Sequence, residues 1–171
     1  MDYLIVVDMQ KDFVSGSLGT PEAKKIVAPV REKILAHQGP VLFTRDTHPE
    51  WYLDTQEGKH LPIPHCIYKT ENWEIIPELS DLTKDAPIID KPAFGSMVLA
   101  AMLTEKKDEI DSVELIGLCT DICVISNALI IKAALPEVPV RVDSACCAGV
   151  TPEKHQAALE VMRSCQIEIL E

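Results

Sequence analysis

Six short apolar segments rich in β-branched residues recur along the chain, separated by longer stretches in which apolar and polar residues follow helical spacing. They span residues 3–7, 41–44, 87–89, 112–116, 138–142 and 166–170. Segments this short that are apolar on both faces are typical of the buried strands of a parallel sheet. The pattern therefore predicts six strands in one sheet that is covered on both faces.

Helical patterns lie between these strands. They cover residues 21–37, a shorter stretch after Ser96, the stretch from Thr120 to about Ala134, and the stretch after Thr151. The first and the last begin with Thr-Pro, a capping residue followed by a proline in the first turn. Strands that alternate with helices predict an α/β protein, a three-layer αβα sandwich around a mostly parallel six-stranded sheet. The length fits one domain over residues 1–171.

The chain is acidic, with 27 Asp and Glu residues, 16 Lys and Arg residues and a net charge of -11. This charge repels a phosphate backbone and no basic cluster interrupts it, so nucleic acid is not expected as a partner. The apolar run at the N-terminus is too short for a secretory signal or a membrane span. A cytoplasmic protein with no membrane contact, in which most of the six cysteines are free thiols, is therefore expected.

Polar or nucleophilic side chains follow four of the predicted strands. Asp8, Asp46, Lys91 and Cys123 each come at or just after the end of a strand. In an open α/β sheet, ligands bind outside the carboxyl ends of the strands. A thiol with a nearby carboxylate and a cation is a standard arrangement for an activated nucleophile. We therefore expect Asp8, Lys91 and Cys123 to converge in one crevice, although each alone is more often a structural residue.

Cys123 lies in the first turn of the helix that Thr120 is predicted to cap. The positive end of the helix dipole favours a thiolate over a thiol at such a position. The position therefore predicts a reactive Cys123 with a pKa below the ordinary value of about 8.5. The alternative is a small buried residue that only packs.

A long segment over residues 47–72 fits neither the strand nor the helix pattern, and a segment of this kind inside a domain is usually functional. Asp46 and His48 occupy alternate positions of an extended stretch at its start, and His65 lies near its end. Two imidazoles and a carboxylate suit zinc, iron or manganese. The alternative for each histidine is a hydrogen-bonded loop residue.

Six ordered segments of the chain together resemble one known family. They are Val7-Asp8-Met9-Gln10-Lys11-Asp12-Phe13, Asp46-Thr47-His48-Pro49, Pro64-His65-Cys66, Lys91-Pro92-Ala93-Phe94-Gly95-Ser96, the stretch from Gly117 to Val124, and Asp143-Ser144-Ala145. Each segment alone is weakly specific, but their order over nearly the whole chain is similar to that of the isochorismatase-like cysteine hydrolases, and among them the nicotinamidase-like amidases. The resemblance implies a six-stranded parallel sheet that carries a catalytic triad of Asp8, Lys91 and Cys123.

Covalent hydrolysis of a small amide is the activity that this resemblance implies. Asp8 would take the proton of Cys123, the thiolate would attack the amide carbonyl, and water would then cleave the thioester. Lys91 would lower the pKa of Asp8 and stabilise the developing charge. The backbone N–H groups of Cys119 and Cys123 would bind the oxyanion, with a cis peptide bond between Leu118 and Cys119.

A divalent metal is also implied by the resemblance, with zinc expected first and iron or manganese as alternatives. Its expected ligands are Asp46, His48, Glu57 and His65, with Asp54 and His60 as alternatives to Glu57. The fourth ligand in the family is often a histidine, and Asp54 stands at that position here. Glu57 fits the spacing of the members that use a glutamate. In nicotinamidase-like enzymes this metal binds the pyridine nitrogen of the substrate.

One aromatic residue that stacks on the substrate ring in many relatives is replaced here. Its position, three residues before the last metal histidine, is Pro62. Phe13 is therefore the expected substrate-binding aromatic residue. Trp51 and Trp73 are alternative ring surfaces, although both are expected mainly to pack.

Hydrolysis of nicotinamide to nicotinate and ammonia by a homo-oligomeric enzyme is thus the expected function. One alternative is a hydrolase of another small amide or of an N-carbamoyl compound. A different class is a catalytically silent binding protein with the same fold. The intact trio of Asp8, Lys91 and Cys123 argues against a silent protein, because folding alone does not require these residues at three strand ends.

Overall fold

A computed structural model describes all 171 residues and contains one six-stranded sheet in which every neighbouring pair of strands is parallel. The strands are β1 (Asp2–Val7), β2 (Val41–Asp46), β3 (Ile88–Lys91), β4 (Ser112–Leu118), β5 (Val140–Ala148) and β6 (Glu168–Leu170). Their order across the sheet is β3-β2-β1-β4-β5-β6. The six predicted strands and the parallel α/β architecture are confirmed.

Helices occupy both faces of this sheet. The α-helices are α1 (Lys11–Val14), α2 (Pro21–Lys25), α3 (Val27–Ala36), α4 (Gln56–His60), α5 (Met97–Glu105), α6 (Ile125–Ala134) and α7 (Pro152–Ser164). Shorter 3-10 turns cover Tyr52–Asp54, Glu71–Trp73, Pro77–Thr83 and Lys107–Glu109. The longest helix has 13 residues, and none combines the length and the hydrophobicity that a membrane span requires.

Alternate residues of the central strand β1 face the two helical layers, because successive side chains of a strand point to opposite faces of the sheet. Leu4 and Val6 belong to the apolar cluster that includes α2 and α3. Ile5 and Val7 belong to the cluster that includes α5, α6 and α7. Both faces of the strand are therefore buried, which explains why its sequence shows no polar alternation.

The predicted helix over residues 21–37 is two helices in the structure, so this prediction was wrong in one respect. α2 ends at Lys25, Ile26 lies between the two helices, and α3 begins at Val27. The physical reason is Pro29, which has no backbone N–H to donate to the carbonyl of Lys25 four residues earlier. The predicted cap at the start of α2 is confirmed, since Thr20 Oγ1 accepts a 3.0 Å hydrogen bond from the Ala23 N–H.

The strand order creates a crevice between β1 and β4. The chain runs from β1 outward through β2 to β3, then crosses to β4 and continues outward through β5 to β6. The loops that leave β1 and β4 therefore diverge to opposite sides, and such a point at the carboxyl ends of parallel strands is where α/β proteins bind ligands. Asp8 follows β1 directly and Cys123 lies in the turn after β4.

Gly117 is needed for the close approach of β1 and β4 beside this crevice. It pairs with Val7 and has a φ of 114°, a conformation that side chains strongly disfavour. A Cβ atom at this position would also overlap the carbonyl oxygen of Val7. We expect Gly117→Ala to lower the free energy of unfolding by about 3 kcal/mol, measured by urea denaturation followed by circular dichroism. An unchanged urea midpoint would contradict this assignment.

Candidate active site and metal centre

Asp8, Lys91 and Cys123 meet at the carboxyl ends of the strands and are buried, with exposed fractions of 0%, 1% and 4%. The Nζ atom of Lys91 lies 2.6 Å from Asp8 Oδ2 and 3.3 Å from the Sγ atom of Cys123. It also donates to the carbonyl oxygen of Ala93 at 3.1 Å. The structure therefore brings together the three residues that the sequence singled out, with the lysine ammonium between the carboxylate and the sulfur.

The carboxylate of Asp8 is fixed at both oxygens. Thr44 Oγ1 donates to Asp8 Oδ1 at 2.6 Å, and Lys91 holds Oδ2. The Asp8 N–H in turn donates to the backbone carbonyl of Thr44 at 3.2 Å. Asp8 has a φ of 47°, in the left-handed region that few non-glycine residues adopt, and such conformations cluster at functional sites. This turn directs the carboxylate into the crevice as soon as β1 ends.

The pKa of Asp8 differs from the expectation that Lys91 lowers it. Complete burial raises the pKa of Asp8 above its ordinary value, and the opposing charge of Lys91 only partly offsets that rise. Burial alone would lower the pKa of Lys91, but the negative charges of Asp8 and Asp46 raise it above its ordinary value. The lysine therefore stays protonated, whereas the aspartate has a raised affinity for a proton.

The expectation of a lowered Cys123 pKa was wrong. Cys123 does not begin a regular helix: Thr120–Val124 forms a π-helical turn, and α6 starts only at Ile125. Burial and the negative charge of Asp8 raise the pKa of the Cys123 thiol, and Lys91 opposes them. Burial thus outweighs the favourable charge of Lys91, so the thiol needs a base to remove its proton when it reacts.

The turn before Cys123 has the backbone geometry that the resemblance implies. The peptide bond between Leu118 and Cys119 is cis. The N–H of Cys119 donates to no other group of the chain and is therefore available to a ligand. Thr120 does not cap the following helix, because its Oγ1 atom is 2.7 Å from Nδ1 of His155 on α7 instead.

A second cluster of polar side chains lies beside Lys91. It consists of Asp46, His48, Glu57 and His65, whose nearest ligand atoms all lie within 4.8 Å of one another. His48 Nε2 is 2.8 Å from Asp46 Oδ2 and 3.6 Å from Glu57 Oε1. His65 Nε2 is 3.5 Å and 3.7 Å from the same two oxygens. Asp46 also approaches the first cluster, since its Oδ1 atom is 3.5 Å from Lys91 Nζ.

Hydrogen bonds and packing orient the ligand atoms of this cluster. The Nδ1 atom of His65 is 2.8 Å from the carbonyl oxygen of Ile63, so the N–H belongs on Nδ1 and the lone pair of Nε2 faces the cluster. Glu57 lies in the first turn of α4, which Thr55 caps by accepting a 3.0 Å hydrogen bond from the Gly58 N–H. The Tyr52 ring packs edge-on against the His48 and His65 rings, with centroids 4.8 Å and 5.0 Å away.

The cluster fits a divalent metal. A tetrahedral ion with bonds of about 2.0–2.1 Å separates its ligands by about 3.3–3.4 Å, close to most of the spacings found here. Imidazole and carboxylate groups are ligands that zinc, iron and manganese accept. Burial alone would raise the pKa of Asp46, but its contacts with the His48 and His65 rings and the charge of Lys91 bring it below its ordinary value, so this carboxylate is ionised as a ligand must be. Asp54 and His60, the alternatives to Glu57, lie outside the cluster.

A small cavity of about 180 Å³ lies between the Cys123 sulfur and the metal cluster. Its apolar lining is formed by Phe13, Leu18, Leu61, Phe94, Cys119, Ile122 and Cys123, and its polar lining by Asp46, Glu57, His60 and His65. Typical ligand pockets have roughly 300–1,000 Å³, so this one suits a small molecule. Phe13 therefore lies where the sequence predicts a substrate contact.

The two tryptophans do not line this cavity. Trp73 is buried, donates from Nε1 to Thr47 Oγ1 at 2.9 Å and lies under the guanidinium of Arg45, which is the packing role predicted for it. Trp51 is 66% exposed, so the prediction that it packs was wrong.

Leu18, Leu61, Phe94 and Ile122 are cavity residues that sequence reasoning missed. They come from four separate segments and carry no chemistry that would distinguish them from core residues. Phe94 belongs to the Lys91-Pro92-Ala93-Phe94-Gly95-Ser96 segment, which was a weak signal of its role. The others are identified only by their position in the folded chain.

Solved structures and curated proteins are similar to this chain over nearly its whole length. A pyrazinamidase of Pyrococcus horikoshii, solved in complex with zinc, is 33% identical to this chain, with 99% of this chain and 98% of that one covered and a TM-score of 0.85. The nicotinamidase/pyrazinamidase of Mycobacterium tuberculosis is 26% identical over an alignment of 187 positions that covers 99% of this chain and 98% of that protein. The N-carbamoylsarcosine amidase of Thermoplasma acidophilum is 26% identical, with 99% and 95% covered and a TM-score of 0.81.

The sequence model of the isochorismatase domain matches residues 2–171, which is nearly the whole chain. The six-stranded parallel sheet and the similarity of the zinc-bound pyrazinamidase over almost its full length agree with that match. The chain therefore belongs to the isochorismatase family.

Proposed function

We propose that this protein hydrolyses a small neutral amide, nicotinamide foremost, to a carboxylic acid and ammonia through a thioester on Cys123. The observation that carries this proposal is the buried trio of Asp8, Lys91 and Cys123 at one side of a small cavity whose other side is a metal-ligand cluster. The similarity to a pyrazinamidase at 33% identity supports amide hydrolysis.

In the first half-reaction, Asp8 accepts the thiol proton of Cys123 as the sulfur forms a bond to the amide carbonyl carbon. The raised pKa of Asp8 favours this transfer, since a carboxylate with a high proton affinity is the better base. Asp8 then gives the proton to the amide nitrogen, the carbon–nitrogen bond breaks, and ammonia leaves. The acyl group remains on Cys123 as a thioester.

In the second half-reaction, water replaces ammonia. Asp8 takes a proton from the water as its oxygen bonds to the thioester carbonyl, and the carbon–sulfur bond breaks. The proton returns to the sulfur and the carboxylic acid leaves. Lys91 remains protonated throughout, and its Nζ atom, 3.3 Å from Sγ, stabilises the thiolate that forms in both halves.

The carbonyl oxygen gains negative charge in both tetrahedral intermediates. The N–H groups of Cys119 and Cys123 are the proposed donors to this oxyanion, and the unpaired Cys119 N–H supports that role. Phe13 is the proposed apolar surface for the substrate ring.

Asp46, His48, Glu57 and His65 are the proposed metal ligands, and zinc is the proposed ion. A bound metal supplies a Lewis acid that attracts a lone pair of the substrate, such as that of a pyridine nitrogen. The pyrazinamidase at 33% identity was solved with zinc, which supports this choice over iron or manganese.

The cavity lining favours a neutral substrate over an N-carbamoyl amino acid. Such a compound carries a carboxylate, which a binding site usually pairs with an arginine or a lysine. The cavity is lined by no arginine or lysine, and His60 is its only basic group outside the metal cluster. We therefore rank N-carbamoyl compounds below aromatic amides.

The test is release of ammonia from nicotinamide by the zinc-loaded protein. We expect the wild-type protein to turn over nicotinamide at about 1 s⁻¹ or more. Cys123→Ala should lower this rate at least about 10³-fold. Cys165→Ala, which removes an exposed cysteine, should leave the rate unchanged. Benzamide, which lacks the ring nitrogen, should react at least about tenfold more slowly. Equal ammonia release by wild type and Cys123→Ala would reject the proposal, and faster release from N-carbamoylsarcosine would reject the substrate class.

A further inference from the structure

Gln10 is a buried carboxamide that holds the backbone of a metal-site residue. Its Oε1 atom accepts a 2.7 Å hydrogen bond from the Asp46 N–H. Its Nε2 atom donates to the carbonyl oxygens of Asp46 and Trp73, each at 2.8 Å. Gln10 is fully buried and none of its hydrogen bonds involves a catalytic side chain. It thus fixes the peptide groups on both sides of the Asp46 Cα atom, which set where the Asp46 carboxylate points.

Asn127 makes an equivalent set of contacts on the nucleophile side. Its Nδ2 atom donates to the carbonyl oxygen of Cys123 at 2.8 Å and to that of Phe94 at 3.1 Å. Its Oδ1 atom accepts a 2.9 Å hydrogen bond from the Ser96 N–H. Asn127 is also fully buried, on the first turns of α6. It therefore ties the nucleophile turn to the loop that follows Lys91.

We propose that Gln10 and Asn127 are positioning residues that each align one half of the site, Gln10 the metal ligand Asp46 and Asn127 the nucleophile Cys123 relative to Lys91. This inference rests on the proposed function for the roles of the two halves. Neither carboxamide forms a hydrogen bond with the side chain of a proposed metal ligand or of the proposed catalytic trio. Each residue forms three hydrogen bonds, all of them with backbone groups. Both N–H donors of each side-chain amide are used.

The two residues are expected to have separable effects. Gln10 touches the segments of Asp46 and Trp73, whereas Asn127 touches the segments of Cys123 and Phe94. Asp46 and Lys91 are 3.5 Å apart, but Lys91 has a nearer partner in Asp8 at 2.6 Å. A shift of Asp46 therefore weakens the metal site first and leaves the Lys91 and Cys123 contact largely intact.

The test compares two nearly isosteric variants, Gln10→Met and Asn127→Leu, each serving as the control for the other. Zn²⁺ affinity is measured by competition with a chromophoric chelator. The rate of iodoacetamide modification at Cys123 is measured by mass spectrometry of the peptide, which separates it from the exposed Cys165. Neither readout needs amidase activity, so the inference and the proposed function fail independently.

We expect Gln10→Met to lower Zn²⁺ affinity by about tenfold or more, the usual cost of losing a group that orients a ligand, with little change in the Cys123 rate. We expect Asn127→Leu to lower the Cys123 rate by about tenfold, as a one-unit rise in thiol pKa would, with Zn²⁺ affinity retained. Equal losses of both readouts in both variants, in step with a lower melting temperature, would overturn the proposal in favour of a general structural role.

A second pair of variants covers the case in which the first does not fold. Gln10→Glu and Asn127→Asp keep the acceptor for Asp46 N–H and for Ser96 N–H, and lose at least one donor. The same separation of effects, smaller in size, is expected. Wild-type values of Zn²⁺ affinity in Gln10→Glu and of the Cys123 rate in Asn127→Asp would contradict the proposal.

Discussion

Replacing Asp8 by asparagine is expected to lower kcat/KM for amide hydrolysis by about 10³-fold, within the range of general acid–base catalysis. Asparagine has nearly the same shape and keeps an oxygen that can accept from Thr44 Oγ1. It cannot take the proton from Cys123, whose raised pKa makes a base necessary. It also removes the charge that Lys91 pairs with at 2.6 Å. The measurement is steady-state ammonia release at fixed pH and saturating Zn²⁺.

Asp12 offers a matched control for this variant. It is a second buried carboxylate from the same segment, and it accepts hydrogen bonds from the Cys66 N–H at 2.8 Å and from Ser17. It does not line the cavity beside Cys123. Asp12→Asn is therefore expected to lower kcat/KM less than tenfold. Similar losses in the two variants, or an Asp8→Asn protein with nearly full activity, would refute the role of Asp8.

Adding Zn²⁺ to the chelator-treated protein is expected to raise its melting temperature by about 8–16 °C. The four proposed ligands come from the end of β2, from α4 and from the stretches before and after α4, so only the folded chain assembles them. At a free ion concentration of about 1,000 times Kd, binding adds about 4 kcal/mol to the free energy of unfolding. For a chain of this length each kcal/mol corresponds to about 2–4 °C. The measurement is thermal unfolding by circular dichroism with and without the ion.

Two histidine variants distinguish the cluster from other binding sites. His48→Ala removes a ligand and should abolish most of the Zn²⁺-dependent shift. His37→Ala, at the end of the molecule where Nε2 of His37 lies 3.0 Å from the Asp2 carbonyl oxygen, should retain the full shift. The same shift in both variants would mean that Zn²⁺ binds elsewhere.

The strands were predictable because each is marked by a run of apolar residues that are neighbours in the sequence. A segment such as Leu4–Val7, apolar on both faces, is stable in water only when both faces are covered, and six such segments predict a sheet between two layers of helices. The chemistry at the strand ends was predictable for the same reason, since parallel strands bring Asp8, Asp46 and Lys91 to one edge whatever their order. The resemblance of six ordered segments then identified the family.

The properties of the site residues were less predictable, because they depend on burial and on distant neighbours. The sequence predicted a low pKa for Cys123 from its place after a strand and a low pKa for Asp8 from Lys91. Burial reverses both, since its effect on the pKa exceeds that of the nearby Lys91 charge. The degree to which a side chain is buried cannot be predicted from the residues next to it in the sequence.

By itself, the sequence determined the class of the fold, the family, and the residues that we propose carry the chemistry, because strand periodicity and short motifs depend on neighbouring residues. Only the tertiary structure showed that Glu57, and not Asp54 or His60, lies with Asp46, His48 and His65. It alone also showed that Phe94 and Ile122 line the cavity, and that Gln10 and Asn127 form hydrogen bonds with the backbone of Asp46 and Cys123. The physical reason is that these contacts join segments far apart in the chain, whose distances and exposure to water are set by the packing of the whole sheet and its two layers of helices.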